Sequence, residues 1–416
     1  MAKTLRFAVI SDLHYRKDND GVAYRPAAGA QGAHADPVEK LIAFLDAQRA
    51  DFQCPDGKLA DYLLCPGDIC DKADTGAFDE GWRQLKELQK VLRADHLIAS
   101  TGNHEVHSRS SALDQIPGYA EAALDPLEGV QAHRDYPTEL LSEDQRWVYW
   151  GRGYEIIERE DIFLLLVNSS HFHPTTQPNE YERGRIGKVA LELLRAELKT
   201  KVESNRNRLF ITLLHHHPVA HEDLALELGR IQMHNGELLM QVLAECGVAW
   251  IVVHGHKHFP RLMLSADSGD GQSVVLAAGS AGAELKGEWA TRTSHQFYIV
   301  ELDVVSQATE RSACGRIRAL SWQGDDWKFN ELKKRGLPDG CGFQIPAENL
   351  DAIVARIATA LGGTNAYVTW PELVNQVPAL RTLLPQRLAA LRRALKTAGI
   401  QATWLDTHHF PTDVSR

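Results

Sequence analysis

Apolar residues in this chain gather into short unbroken runs: Phe7-Ala8-Val9-Ile10, Tyr62-Leu63-Leu64, Leu97-Ile98-Ala99, Phe210-Ile211-Thr212-Leu213-Leu214 and Trp250-Ile251-Val252-Val253. Short apolar runs bounded by polar or turn residues predict strands buried on both faces, as in parallel sheets. Between them the spacing changes to that of a helix. Pro37 to Arg49 carries Val38, Leu41, Ile42 and Leu45 on one face, and Phe78 to Leu92 carries Trp82, Leu85, Leu88 and Leu92. Val189 to Leu198 and Leu238 to Ala244 follow the same period. Ser273 to Ala277 and Gln296 to Val300 predict strands of a second sheet, joined by Trp147 to Trp150 and Ile162 to Val167. The pattern is strand, loop, helix, repeated to about residue 329.

Past Pro338-Asp339-Gly340 the pattern turns helical. Leu350, Ile353, Ile357 and Leu361 line one face of a segment that stops at Gly362-Gly363. Thr369-Trp370-Pro371-Glu372 opens a second helix with a capping threonine. Leu384, Leu388, Leu391 and Leu395 mark a third, and Gln401 to Trp404 reads as a short strand. Residues 1–329 are therefore expected to form one large domain and 330–416 a small helical extension. That extension is either a brace on the larger domain, the reading preferred on sequence alone, or a winged-helix-like module. The segment 106–147 lacks a clear strand and is a candidate cap over the site.

Composition narrows the class. At 416 residues the chain exceeds one typical domain. No stretch has the apolar length of a membrane span, and Met-Ala-Lys-Thr-Leu-Arg leads directly into a strand. Six cysteines without a C-x-x-C pair read as reduced thiols, and the expected location is cytoplasmic. A net charge of −10 argues against a broad nucleic-acid surface. Residues 330–416 carry ten Lys/Arg against seven Asp/Glu, a net of +3, leaving −13 for residues 1–329. A homo-oligomer is compatible with this composition.

The candidate chemistry sits where the apolar runs end. In order, the runs are followed by Asp12-Leu13-His14, Gly67-Asp68-Ile69-Cys70-Asp71, Gly102-Asn103-His104-Glu105, His216-His217-Pro218 and Gly255-His256-Lys257-His258. Open α/β sheets place their sites at the carboxyl ends of the strands, so five metal-capable blocks should converge on one edge. Nitrogen and oxygen donors without sulfur suit manganese, iron or zinc.

These five blocks, in this order, resemble the calcineurin-like metallophosphoesterases, with the pattern D-x-H, G-D-x-x-D, G-N-H-[DE], H-x-P and G-H-x-H. The resemblance implies an α/β fold, a four-layer αββα sandwich of two mixed β-sheets flanked by helices, with the C-terminal helical extension added. It implies two divalent metal ions: Asp12, His14, Asp68 and His258 around one, and Asp68, Asn103, His216 and His256 around the other. Asp68 would be shared. Two ions roughly 3.5–4 Å apart hold the phosphate and lower the pKa of a bridging water toward about 7, giving a hydroxide nucleophile. His104 would assist the leaving group. The histidine two before the proline is His216, and strand alternation would put His215 and His217 on the opposite face.

Nearby residues complete the expectations. Asn103, His104, His107 and Arg109 are candidate substrate contacts, with Arg16, Lys17, Arg183 and Arg185 in reach. Asp71 could hold a ligand histidine's second nitrogen. Glu105 could orient a ring nitrogen. Protein phosphatases of the resembled family carry arginine after the second aspartate of the second block, whereas here Lys72-Ala73-Asp74 follows Asp71. The pattern looks most similar to the cyclic-nucleotide and glycerophosphodiester phosphodiesterases. The expected function is hydrolysis of a small phosphodiester. A nuclease, a phosphomonoesterase and a non-catalytic binding protein stand as alternatives in that order.

Overall fold

The computed structural model describes residues 4–28, 36–52, 54, 57–108, 130, 133–173, 182–220, 232–265, 272–303, 312–362 and 367–416. Two mixed sheets stack face to face. In the first the strand order is Asp326–Phe329, Ala313–Gln323, Gln296–Asp303, Thr4–Val9, Tyr62–Cys65, His96–Ala99, with Cys341–Ile345 also paired to Ala313–Gln323. Its last three strands run parallel and the others antiparallel. In the second the order is Arg261–Leu264, Val274–Ala277, Trp250–His254, Leu209–Leu213, Ile162–Val167, Tyr154–Glu158, antiparallel only at its two edges.

The period-2 alternation of each strand assigns its side chains to layers. Phe7, Val9, Leu64 and Ile98 face inward against Leu164, Leu166, Ile211, Leu213, Ile251 and Val253. Ala8, Ile10, Leu63 and Leu97 face outward, under helices Pro37–Ala47 and Thr75–Leu92, which contribute Val38, Leu41, Leu45, Trp82, Leu85 and Leu88. Phe163, Phe210, Trp250 and Val252 face the other way, under Lys188–Lys201 and Gly236–Glu245. Helices on both outer faces of two packed sheets make the αββα sandwich. The two helices over the first sheet are capped locally: Asp36 accepts from the backbone N–H groups of Val38 and Glu39, and Asp74 from that of Ala77.

Two strand assignments change. Trp147 to Trp150 lie in a helix, Glu143–Arg152, opened by a capping box between Ser142 and Gln145 that outweighs the local run of aromatics. Gln296–Asp303 belongs to the first sheet, antiparallel to Thr4–Val9. Its alternation (Phe297 and Ile299 outward, Tyr298 and Val300 inward) would suit either sheet, so periodicity could not assign it. Cys341–Ile345 extends the first sheet past residue 329, where the sequence placed the start of the extension.

Beyond that strand the chain builds a core of its own, from Ile353, Ile357, Leu373, Leu380, Leu391, Leu395 and Val414. Helix Leu350–Leu361 is followed by Tyr367–Thr369, by helices Trp370–Gln376 and Leu388–Thr397, and by Gln401–Thr403 and Asp413–Ser415. The three strands pair antiparallel with Asp413–Ser415 in the centre. This helical unit thus carries a small three-stranded sheet of its own. It is also pinned: the Gly342 amide donates to the Leu383 carbonyl (3.2 Å), Lys333 to Thr407 (2.8 Å) and His409 to Glu331 (3.1 Å).

Candidate metal centre

The five blocks meet at one edge of the sandwich because the parallel strands of both sheets end there. Backbone bonds knit the loops: the amide of Asp12 donates to Gly67, that of His14 to Asp68, and that of Gly255 to His215. The turns are sharp. Asp12, His14, Asp68, His256 and His258 all have positive φ, between 49° and 82°. That is a conformation side-chain-bearing residues rarely adopt, at about 1–3 kcal/mol each. Local preference opposes these turns, so the surrounding contacts hold them.

Asp68 lies at the centre and is almost wholly buried. Its Oδ1 accepts the backbone N–H of His104 (2.9 Å), which leaves Oδ2 between two histidine groups. On one side are His14 Nε2 at 3.6 Å and, beyond it, His258 Nε2 at 3.1 Å from His14 Nε2, with Asp12 Oδ1 3.4 Å from His258. On the other side is His215 Nε2, 3.2 Å from Asp68 Oδ2 and 3.2 Å from both Asn103 Oδ1 and His256 Nδ1. Two donors about 2.1 Å from one ion and about 90–120° apart are themselves about 3.0–3.6 Å apart, so both groups have the spacing of a coordination shell. Among the described residues four sets of donor atoms lie within 4.8 Å of one another: Asp12/His14/His258, His14/Asp68/His104, Asp12/Asp68/His215 and His215/His216/His256.

Burial and mutual charge shift the groups of this cluster in opposite directions: burial would lower His215, but the charge and bond of Asp68 raise it to about 9. Burial alone would raise Asp68, yet the charges of His215 and His104 hold it well below the usual carboxylate range. Burial would likewise raise Asp12, but its bond to His258 and that ring's charge keep it low. Burial and then the neighbouring His104 charge push His14 down to about 3, leaving a neutral ring with a lone pair to donate. Asp12 is further fixed by the hydroxyl of Ser11 (2.5 Å) and the amide of His256 (3.0 Å), while Ser280 Oγ donates to its carbonyl (2.7 Å).

His216 and His215 divide the role assigned to one residue. His216 stays in the cluster, its Nδ1 2.8 Å from Ser169 Oγ, but the ring against Asp68 and Asn103 is that of His215, whose Nδ1 is anchored on the Pro66 carbonyl (3.1 Å). Strand alternation does not separate the two rings, because the strand ends at Leu213 and no pleat governs residues 215–217. The run of three histidines was the available signal.

Two supporting residues act differently from expectation. Glu105 orients no ring nitrogen: its carboxylate accepts the backbone N–H groups of Asp68, Ile69, Cys70 and Gly102, joining the second and third blocks. Burial, then the charge of Asp68, raises it to about 7. Asp71 lies 2.8 Å from Nδ1 of His104, the ring beside the cluster, and not against a ring of the ligand pattern. His254 packs on His217, ring centres 4.4 Å apart. His107 is half-buried on the turn after His104, and Arg109 lies outside the described residues, as does most of the candidate cap. The nearby cations have other engagements: Arg16 with Glu284 (3.8 Å), Lys17 over the Tyr24 ring and Arg183 with the Gln232 carbonyl (3.3 Å).

A four-layer sandwich with a carboxylate shared between two histidine groups defines a dinuclear metallohydrolase. The sequence model described as calcineurin-like phosphoesterase matches residues 5–260, and the chain belongs to that family. A second model, wHTH-Calcineurin_assc, matches residues 346–397. Similar solved structures include a dimetal phosphatase from Danio rerio (15% identity, 75% of this chain and 95% of that one, TM-score 0.43). A second is purple acid phosphatase PPD1 from yellow lupin, Lupinus luteus (13% identity, 76% and 52%, TM-score 0.47). No protein of curated function shows significant similarity. Among the described residues no helix is long and apolar enough to cross a membrane.

Proposed function

We propose that the chain is a phosphodiesterase that uses two divalent ions of manganese, iron or zinc. Asp12, His14, Asp68 and His258 hold one ion. Asp68, Asn103, His215 and His256 hold the other, with His216 at its margin. The observation that carries this reading is the position of Asp68 Oδ2, 3.6 Å from His14 Nε2 and 3.2 Å from His215 Nε2. When bound, the ions supply Lewis acidity toward phosphate oxygens and an activated water.

The protein's own groups do the rest. Asp71, 2.8 Å from Nδ1 of His104, orients the ring so that its Nε2 would serve as the proton donor to the departing alkoxide. Two carboxylates among the donors leave the loaded centre cationic, suited to an anionic ester. The lysine in place of a phosphatase arginine after Asp71 favours a diester over a monoester. A small phosphodiester such as a cyclic nucleotide is the first candidate substrate. The winged unit at residues 346–397 supports nuclease activity as the second reading.

The test is hydrolysis of bis(p-nitrophenyl) phosphate beside p-nitrophenyl phosphate with added manganese. Faster turnover of the diester, reduced about 10²–10⁴-fold in His104→Ala with metal content unchanged, supports the proposal. Preference for the monoester makes the protein a phosphatase. No turnover of either in protein holding two ions removes the phosphodiesterase reading.

A further inference from the structure

The winged unit has a chemically one-sided surface that the metal centre does not use. Between Glu372 and Asp406 the chain holds Arg381, Arg387, Arg392, Arg393 and Lys396 and no acidic residue, although the whole protein is at −10. Three of these cations lie on the last helix, Leu388–Thr397. There Leu388, Leu391 and Leu395 face the unit's core, and Arg392, Arg393 and Lys396 are exposed together on the opposite arc. No carboxylate lies within ion-pair distance of these three among the described residues. Arg392 stacks over Trp404, 5.4 Å from the ring centre, at the start of the segment joining the last two strands.

We infer that the helix Leu388–Thr397 is a docking surface for double-stranded DNA, with Arg392, Arg393 and Lys396 on phosphates and Trp404 steadying Arg392. Charge complementarity and topology point to this occupant together. In helix-turn-helix proteins the last helix of the motif enters the major groove, and phosphate contacts by Arg and Lys set register and orientation. The major groove of duplex RNA is too narrow for a helix, which favours DNA. An acidic protein with a local, acid-free cationic helix binds a polyanion at that helix and repels it elsewhere. The Leu332–His408 bridge ties the segment between the last two strands to residue 332, while Arg392, Arg393 and Lys396 stay exposed to solvent.

Binding is measured by fluorescence anisotropy with the full chain, a labelled 25-base-pair DNA, the matching single strand and the matching duplex RNA. EDTA is present throughout, so the result does not depend on hydrolysis. The expected result is duplex-DNA binding that weakens with salt. In Arg392→Ala/Arg393→Ala/Lys396→Ala the slope of log K against log salt should fall by about 2–3, since each neutralised phosphate contributes about 0.9. Arg83→Ala/Lys90→Ala, on an outer helix of the sandwich, should bind as wild type. The triple variant should keep wild-type melting and wild-type turnover of the small diester. Hydrogen exchange of wild-type protein should show DNA-dependent protection over 388–397. No binding at low salt, an unchanged slope in the triple variant, tighter binding of RNA or single strand, or protection elsewhere only would overturn the inference. Loss of this binding with diester hydrolysis intact leaves the reading of the metal centre standing.

Discussion

At Gly102 one added carbon should cost most of the activity. A Cβ built there lies 2.5 Å from the Asp68 amide nitrogen and 2.9 Å from Glu105 Oε2, and closer still to Asp68 Oδ1. Comfortable separations begin near 3.4 Å, so Gly102→Ala requires Asp68 to move by roughly 1 Å. That movement acts on the carboxylate shared by both donor groups and breaks its bond from the His104 amide. A displacement of about 1 Å in a catalytic constellation costs about 10²-fold in rate. Overpacking should add about 1–3 kcal/mol of destabilisation. The assay is kcat/KM on the diester, with metal content by mass spectrometry and melting by circular dichroism. The expected outcome is a folded protein with a lower Tm, less than two ions per chain and at least about 100-fold lower kcat/KM. A variant with full metal content and unimpaired turnover would show that Asp68 is not position-critical, and the shared-carboxylate reading would fall.

Other perturbations test separate links. Asp68→Asn keeps Oδ1 for the His104 amide and turns a donor toward His14 and His215, so the fold should persist while activity and at least one ion are lost. Full metal content in that variant would sink the assignment. Asp36, the cap of helix Pro37–Ala47, is raised by burial to about 6, its two backbone N–H donors opposing. A raised carboxyl favours the protonated native state, so this stabilisation is complete below about pH 4 and lost as pH climbs through about 6, for at most roughly 3 kcal/mol. Asp36→Asn keeps the cap without titrating. Urea melts at pH 5 and pH 8 should show a smaller decline for the variant, and parallel declines would refute the assignment.

Much of this was legible in the chain because the same physics governs both levels. Apolar runs such as Trp250 to Val253 specify strands buried on two faces, and their ends locate the loops that carry the metal-capable residues. What escaped was decided by partners distant in sequence. Gln296–Asp303 has an alternation that fits either sheet, and only its pairing to Thr4–Val9 assigns it. Sequence alone favours His216 over His215 because the resembled pattern places the ligand two residues before the proline, and pleat parity, the second guide, does not extend beyond Leu213, where the strand has ended. Glu105 was read from its neighbour His104, but its partners are backbone amides at 68–70 and 102. Of the three strands in the C-terminal unit only Gln401–Thr403 is legible, because Tyr367–Thr369 and Asp413–Ser415 are too short to register as alternation.

The bonds around Asp12 set the order in which the molecule can become functional. Its carboxylate is fixed by an amide 244 residues away, at His256, and its carbonyl by a hydroxyl 268 residues away, at Ser280. The first donor group is thus closed by the last block of the series. A nascent chain that has exposed Asp12, His14 and Asp68 to the cell lacks the partners that hold them in their left-handed turns. Contacts of such long separation are the slowest to form. The metal centre is therefore a late event of synthesis, and ion loading reports that the whole sandwich has closed.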